Sequence, residues 1–162
     1  MDNGTVGHEV DSKMQSCRKV IVAGYGPVGR VITERLRGVD IAVKIVELNQ
    51  QTVNMQLNLG HEVVYGDVSD PNVLHQADVN GADALILTIP DQKAALNACA
   101  VARRMAPDLY IGVRMNHTSW AMRATAAGAN HVTIEELVTA EAMQSAVMDH
   151  LVNRVPPPES SP

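Results

Sequence analysis

Short apolar runs alternate with segments of helical spacing along most of this sequence, and no other feature restricts the possible fold as much. The apolar runs predict six strands, at 19–23, 42–47, 61–65, 84–89, 110–113 and 131–134. The segments between and after them predict helices at 27–37, 50–59, 70–79, 90–105, 119–127 and 135–153. Because each strand is apolar on both sides, the pattern indicates a parallel sheet with helices on both faces. Right-handed crossovers then favour a doubly wound arrangement.

The length of 162 residues suits a single domain with a tail at each end. We predict a disordered tail over 1–16, a folded domain over 17–153 and a proline-rich tail over 154–162. No apolar run approaches the roughly 18 to 20 residues of a membrane span, so we expect no direct membrane insertion. The start is too polar and acidic for a signal peptide, and the isolated Cys17 and Cys99 fit a reducing cytoplasm.

The charge pattern argues against a nucleic-acid partner, because the formal net charge is −5. The segment 101–125 departs from this balance, with four arginines against a single aspartate. These arginines (Arg103, Arg104, Arg114 and Arg123) form either a solvated helix face or a patch that faces an anion. The six histidines show no spacing typical of metal ligands, so we expect no metal site.

A glycine-rich loop, Gly24-Tyr25-Gly26-Pro27-Val28-Gly29, joins the first predicted strand to the first predicted helix. In this context Gly24 permits the tight turn, Gly26 lets a pyrophosphate approach the backbone, and Gly29 lets the helix lie close to the sheet. Pro27 suits the first helical turn, where its missing N–H would have no partner. The free N–H groups of that turn would face the phosphates. The predicted fold is therefore a doubly wound six-stranded parallel Rossmann-like sheet plus a C-terminal helix.

Glu47 ends the second predicted strand, 18 residues after Gly29. An acid at this place accepts two hydrogen bonds from an adenosine ribose. It would repel a 2′-phosphate, and the following Leu48-Asn49-Gln50 offers no arginine to offset the repulsion. We therefore predict a site for NAD or an adenosine nucleotide rather than NADP. The alternatives are a tight turn with an ordinary surface glutamate, and a methyltransferase, which also combines a glycine-rich turn with a ribose-binding acid.

Further motifs add a family likeness. Together with the glycine loop and Glu47, three motifs resemble the TrkA-N domain, also called the RCK or KTN domain, of potassium transport systems: Gly66-Asp67, Gly81-Ala82-Asp83 and Gly128-Ala129-Asn130. Three more look most like the Kef-type cation–proton antiporter branch: Arg103-Arg104, Pro107-Asp108 and the strand end Val113-Arg114. The resemblance covers about residues 18–150.

The resemblance implies a cytosolic regulatory domain that binds NAD(H), AMP, ADP or ATP. Such a domain gates a membrane potassium channel, transporter or cation–proton antiporter from the inner face of the membrane. It also implies a homodimer in which the last helix reaches the partner subunit. The nucleotide contacts implied are Gly24, Tyr25, Gly26, Pro27, Val28, Gly29, Glu47, Leu48, Asp67, Val68, Thr88, Asp91 and Arg114.

The sequence departs from the family's pattern in two respects. Kef-type loops often carry a basic residue where this chain has Pro27, and here Arg30 follows the last glycine instead. The C-terminal ligand-binding RCK-C domain and the membrane helices of the family do not occur in this sequence. We therefore interpret the chain as a fragment, a stand-alone subunit or an accessory protein.

Several of these residues also fit ordinary structural roles. Asp67 suits a turn or a helix cap before Asp70-Pro71, because aspartate is favoured at both positions. Thr88 and Asp91 suit the end of a strand and the cap of the next helix. Arg114 suits a surface salt bridge. The sequence leaves these structural roles and the ligand contacts as alternatives.

Two helices carry faces that have more than one interpretation. The small residues from Ala94 to Ala102 fit either a core or a dimer seam. In the last helix, Ala140, Met143, Val147 and Leu151 form an apolar stripe. Because the earlier helices are expected to cover the sheet faces, the stripe favours packing against a partner over ordinary core.

A dehydrogenase is the competing class of function. Short-chain enzymes need a Tyr followed by a Lys four residues on, and no tyrosine of this chain meets that spacing. His117 lies near the expected ligand edge, which leaves a His–acid hydride-transfer pair as an alternative. Because the nucleotide fold uses the whole folded part, we expect no catalytic residues and no enzyme activity. The alternatives are a small NAD-dependent oxidoreductase and a stand-alone nucleotide-binding module.

Overall fold

The computed structural model describes residues 18–152, which contain one six-stranded sheet. The predicted tails at 1–16 and 154–162 lie outside these residues. The strands are β1 (Lys19–Ala23), β2 (Ala42–Glu47), β3 (Glu62–Tyr65), β4 (Ala84–Leu87), β5 (Tyr110–Met115) and β6 (His131–Ile134). They lie in the order β3-β2-β1-β4-β5-β6, and each neighbouring pair is parallel. The predicted Rossmann-like sheet is therefore confirmed.

The α-helices in this part of the chain are α1 (Pro27–Arg37), α2 (Gln50–Asn58), α3 (Pro71–Gln76), α4 (Gln92–Met105), α5 (Thr118–Ala126) and α6 (Glu135–Leu151). The direction of strand addition reverses between β1 and β4. Right-handed crossovers therefore place α1 and α2 on one face and α3, α4 and α5 on the other. At such a reversal the carboxyl ends of the two strands border a crevice, where ligands of open α/β sheets bind.

The larger part of the core lies beneath α3, α4 and α5. The small-residue face of α4 belongs to it, because Ala95, Ala98, Cys99 and Ala102 have no exposed surface. These short side chains let the α4 backbone approach the sheet, where Leu85 is fully buried. This face is therefore core rather than a dimer seam.

The opposite face of the sheet is covered only in part. Ile32 and Leu36 of α1 pack against Val20 and Val22 of β1. Beyond α1, the same face of β4, β5 and β6 lines an open groove of about 660 Å³ that α6 borders on its far side. Tyr110 on this face of β5 is 46% exposed. The expectation that the earlier helices cover both faces completely is wrong for β5 and β6.

Helix α6 extends from the end of β6 with almost no burial. Glu135, its first residue, is partly buried, and every later residue of the helix is exposed. Met143, Val147 and Leu151 of the predicted apolar stripe are 65%, 53% and 70% exposed. Helical stability in proteins comes mainly from packing an apolar face. The described residues of a single copy do not supply a surface that covers this stripe.

Three element boundaries differ from the prediction for identifiable reasons. The predicted helix 70–79 ends at Gln76, because Asp78 adopts a left-handed conformation (φ 62°) and a short 3-10 turn follows at Val79–Gly81. β4 ends at Leu87 instead of residue 89, since Pro90 has no N–H with which to continue the ladder. β5 continues to Met115 because that residue pairs with Ile134 of β6.

Candidate functional site

A cleft of about 750 Å³ opens at the carboxyl ends of the strands. Twelve of the thirteen predicted contacts line it: Gly24, Tyr25, Gly26, Pro27, Val28, Glu47, Leu48, Asp67, Val68, Thr88, Asp91 and Arg114. Residues from the ends of five different strands, β1 to β5, thus meet in one cavity, large enough for a drug-sized ligand. Gly29 does not line the cleft, since it packs beneath the loop.

The glycine loop presents unengaged backbone amides to this cleft. Gly24 turns the chain with φ 91° and donates its N–H to the carbonyl of Val46 at 2.8 Å. Gly26 occupies the N-cap of α1, and no side chain caps the helix. A Cβ on Gly26 would meet no atom within 4 Å, so this residue faces open space. An uncapped helix start of this kind attracts an anion through its free N–H groups and dipole.

Thr88 and Gly29 hold the loop in place from below. The Thr88 hydroxyl donates to the carbonyls of Ala23 at 2.9 Å and Gly24 at 3.0 Å. Its single proton is therefore engaged within the protein, and its side chain is 6% exposed. Thr88 lines the cleft, but its hydroxyl serves the loop, in agreement with the structural alternative given by the sequence.

Glu47 joins the glycine loop to the turn after β2. Its Oε2 accepts the N–H of Tyr25 at 2.7 Å, and its Oε1 accepts the N–H groups of Leu48 and Asn49, both at 2.8 Å. An ionised carboxylate offers about four acceptor positions, so these bonds leave about one for a further donor. Glu47 is therefore not an ordinary surface glutamate, because it organises the part of the cleft in which the ribose was predicted.

Asp67 and Asp91 engage in local hydrogen bonds at the rim of the cleft. Oδ1 of Asp67 accepts from the backbone N–H and the hydroxyl of Ser69, both at 2.8 Å. Oδ1 of Asp91 accepts the N–H of Ala94 at 2.9 Å and caps α4. Both aspartates thus have the turn and cap roles that are the predicted alternatives to ligand contacts, and both also line the cleft.

Arg114 lies near the end of β5 and borders both the cleft and the open groove. Its Nη1 forms an ion pair with Oε1 of Glu135 at 3.0 Å. The side chain is 19% exposed, and its Nε is buried without a hydrogen-bond partner. Near this pair, Nδ1 of His117 lies 2.7 Å from Oε1 of Glu136.

Acidic side chains predominate among the described residues that line the cleft. Glu47, Asp67 and Asp91 face a single cationic side chain, that of Arg114. Arg30, which follows the glycine loop, instead approaches Glu34 at 4.0 Å on the outside of α1. Phosphate groups would therefore be held chiefly by backbone N–H groups of the loop, and additional phosphates would meet acidic neighbours.

The other arginines of the basic segment do not line the cleft. Arg103 donates to the carbonyls of Pro107 at 2.6 Å, Leu109 at 2.8 Å and Gly128 at 2.7 Å, and to Oδ1 of Asn130 at 2.6 Å. It thereby joins the loop before β5 to the loop before β6. The sequence offered a solvated face or an anion-facing patch, and both are wrong for Arg103. Its structural role depends on contacts distant in sequence.

The remaining cleft residues were not predicted from the sequence: Val46, Asn49, Thr52, Gly66, Ile89, Pro90 and Ala94. Asn49 caps α2, since its Oδ1 accepts the N–H of Thr52 at 3.0 Å. An asparagine directly before a helical segment is a recognisable N-cap signal, which could have placed it at this edge. Gly66 belongs to the Gly66-Asp67 motif and turns the chain with φ 149°, which is a recognisable signal. The others line the cleft through their place at strand ends or in the first turns of α2 and α4, and no chemical signal distinguishes them.

Two further properties of residues 18–152 concern ligands and membranes. No group of three or more His, Cys, Asp and Glu side chains in this part of the chain lies close enough to hold a metal ion. None of its helices combines the length and the apolar character needed to cross a lipid bilayer.

A sequence profile of the TrkA-N domain matches residues 20–135. The chain belongs to the TrkA-N domain family. The Escherichia coli (strain K12) protein YbaL, whose name describes a cation/proton antiporter, is 31% identical over 127 residues, which are 78% of this chain and 23% of YbaL. The TrkA-N domain described here thus spans about a quarter of that relative.

Solved structures of TrkA-N and related domains have the same fold. The crystal structure of the TrkA-N domain of the Escherichia coli inner membrane protein YbaL has a TM-score of 0.78 and 29% identity, and the match covers 82% of this chain and 98% of that one. The Shewanella denitrificans Kef C-terminal domain in its AMP-bound form has a TM-score of 0.74 and 24% identity, covering 84% and 82%. The GsuK channel bound to NAD has a TM-score of 0.65 and 22% identity, covering 74% and 22%. This TrkA-N domain is therefore related to domains of ion-transport proteins.

Proposed function

We propose that this domain is a regulatory module that binds NAD(H) or an adenine nucleotide and controls a membrane potassium channel, transporter or cation–proton antiporter. One observation carries the proposal: the uncapped, glycine-lined start of α1 and the carboxylate of Glu47 open into the same cleft. The first attracts phosphate, and the second has about one acceptor position left for a ribose hydroxyl. Together they match the two ends of an adenosine phosphate.

The relatives support the same class of ligand and partner. YbaL is named as an antiporter, the Kef domain was solved with AMP, and GsuK is a channel solved with NAD. We propose that this domain is likewise attached to an ion-transport protein, at the cytoplasmic side of the membrane. The ion pathway would lie in the membrane part of the channel, transporter or antiporter to which this domain is attached.

Each part of the cleft has a proposed role. The N–H groups at the start of α1 hold the phosphates, and Glu47 holds the adenosine ribose. Asp67 lies beside the adenosine end, and Asp91 and Arg114 border the second phosphate or ribose. A 2′-phosphate at Glu47 would meet a carboxylate with no arginine beside it among the cleft residues, so we propose discrimination against NADP.

Regulation requires two arrangements of the protein that bind the ligands with different affinity. We propose that the arrangements are those of a homodimer, in which the exposed stripe of α6 covers the open groove of the partner subunit. Typical coupling free energies between two such sites are about 1 to 3 kcal/mol. Oxidised and reduced NAD, or AMP and ATP, would then shift the equilibrium between the open and closed gate. The size of the shift would depend on the difference in affinity that each ligand shows for the two arrangements. We propose no catalytic role for the domain.

The ligand proposal is tested by calorimetric titration with NAD, NADH, NADP, AMP, ADP and ATP. We expect NAD(H) or an adenine nucleotide to bind well below millimolar concentration and NADP to bind at least about 10-fold more weakly. Glu47→Gln should weaken binding about 10-fold or more, because charge-assisted hydrogen bonds to the ribose are lost. Glu62→Gln is the matched control, since Glu62 pairs with Lys44 outside the cleft. Absence of binding by the folded protein would refute the proposal.

The dimer is tested by sedimentation of two methionine variants. Met143→Asp in the stripe of α6 should shift the protein toward the monomer. Met122→Asp should not, because Met122 is equally accessible on α5 (75% exposed) but lies outside the stripe. A monomeric parent protein would contradict the dimer.

Steady hydride transfer between NAD and a small alcohol or carbonyl compound would instead favour the oxidoreductase alternative.

A further inference from the structure

Arg114 connects the cleft with the open groove. Val28, Thr88 and Arg114 line both the cleft and the groove, and Arg114 alone of the three carries a charge. Its partner Glu135 is the first residue of α6 and borders the groove. The charge of Arg114 in the proposed nucleotide site therefore contacts, through Glu135, the helix that carries the exposed apolar stripe.

The guanidinium of Arg114 has N–H donors that its ion pair with Glu135 does not use. One nitrogen, Nη1, pairs with Glu135 at 3.0 Å, whereas Nε is buried and has no hydrogen-bond partner. A guanidinium presents five N–H donors in one plane. The side chain is nevertheless 19% exposed at the cleft, so its remaining N–H groups can donate to an anionic ligand there.

Helix α6 has few other attachments. Glu135 is its one residue that is not exposed. A second side-chain contact, between His117 and Glu136, joins side chains that are 57% and 59% exposed, whereas Arg114 and Glu135 are 19% and 40% exposed. Exposed pairs contribute little, because water and salt screen them. The Arg114–Glu135 ion pair is therefore the better-protected of these two side-chain contacts at the first turn of α6.

We propose that Arg114 is a switch through which an anionic ligand group in the cleft acts on α6. This inference rests on the proposed nucleotide site. Phosphate oxygens that accept hydrogen bonds from Arg114 compete with Glu135 for the same cation, and the two anions repel each other. Ligand binding weakens the ion pair and loosens the first turn of α6. By reciprocity, the ion pair weakens ligand binding by the same factor.

The test compares two neighbouring glutamates in the full chain. Glu135→Gln removes the competing charge and should raise the affinity for ADP, measured by calorimetry, about 3- to 10-fold. Glu136→Gln is the matched control and should leave the affinity unchanged, because Glu136 pairs with His117 and not with Arg114. In an Arg114→Gln background, Glu135→Gln should have no further effect. Inorganic pyrophosphate serves as a second probe.

Hydrogen exchange gives an independent readout of α6. The carbonyls of the first turn accept the N–H groups of residues 138–142, so exchange of these amides reports on that turn. In the parent protein, ADP should accelerate their exchange, and Glu135→Gln should accelerate it without ligand. If ADP binds and Glu135→Gln leaves or lowers the affinity, the switch is refuted while the proposed function stands. If neither the nucleotides nor pyrophosphate bind the folded parent, the switch and the proposed function are both refuted.

Discussion

Gly29 packs so closely on Gly24 that a methyl group on Gly29 would overlap the Gly24 carbonyl oxygen. The Thr88 hydroxyl donates to that same carbonyl, so the contact is supported from two sides. Gly26, between the two, has open space where a side chain would stand. The glycines of one motif therefore have different tasks: Gly29 serves the fold, whereas Gly26 leaves room for a ligand.

Gly29→Ala should destabilise the protein, and Gly26→Ala should not. The Gly29 methyl group would push α1 away from the loop, and overpacking of this kind costs about 1 to 3 kcal/mol. Gly26 has φ −73°, which alanine adopts readily, so Gly26→Ala should unfold at the parent's urea midpoint. Its methyl group would stand where the pyrophosphate approaches, and nucleotide affinity should fall about 10-fold or more. Equal urea midpoints for the two variants would contradict the separate roles assigned to Gly29 and Gly26.

Arg103→Met should lower the free energy of unfolding by about 2 to 4 kcal/mol. Its guanidinium donates to three backbone carbonyls, two of them part-buried, that methionine cannot satisfy, and a hydrogen bond to a charged group contributes about 1.5 to 3 kcal/mol. Arg104→Met is the control, because the neighbouring arginine is exposed and should stay within about 0.5 kcal/mol of the parent. Urea unfolding of both variants measures the difference, and a similar loss in both would count against the role assigned to Arg103.

Stability should fall on acidification partly through His61. Burial, and secondly the positive charge of Arg37, lower the pKa of His61 in the folded protein. The unfolded chain then binds a proton more readily than the native one, so the contribution of His61 is complete above a pH of about 6.5 and is lost as the pH falls through the folded-state pKa. His61→Gln should therefore flatten the decline in unfolding free energy between about pH 7 and pH 5. Urea unfolding of the parent and the variant at several pH values measures this slope, and equal slopes would contradict the role assigned to His61.

Cys99 should resist thiol reagents until the protein unfolds. The side chain is fully buried, and burial raises its pKa to about 11, although the charge of Arg103 acts in the opposite direction. At about pH 8 the reactive thiolate is therefore scarce as well as inaccessible. In a Cys17→Ser chain, labelling of Cys99 should follow the fraction unfolded across a urea titration. Rapid stoichiometric labelling in buffer alone would contradict this expectation.

The sheet and the edge that carries the cleft were predictable because they depend on local patterns. The apolar runs identify the strands, and right-handed crossovers leave few ways to order them. Once β1, the glycine loop and α1 follow one another, Gly26 must lie at the carboxyl edge, and Glu47 at the end of β2 must lie beside it. The break after Gln76 was not predictable, because it depends on a left-handed conformation of Asp78.

The contacts that sequence reasoning missed join residues far apart in the chain. Arg103 binds Gly128 and Asn130 across loops whose approach no periodicity reveals. The three backbone donors of Glu47 became visible only when the geometry of the loop was known. The open groove beside α6 is also a tertiary property, since it arises from the absence of a helix above β5 and β6 in the described chain.

The Arg103 cluster and the cleft lie at opposite ends of the same strands. Arg103 binds the loops that enter β5 and β6, whereas the cleft opens where the strands end. A strand of six residues, such as β5, separates the two ends by roughly 15 to 20 Å. Free-energy effects of changes at that distance usually add. The affinity of this domain for its ligand and its resistance to unfolding can therefore be altered independently, each from its own end of the sheet.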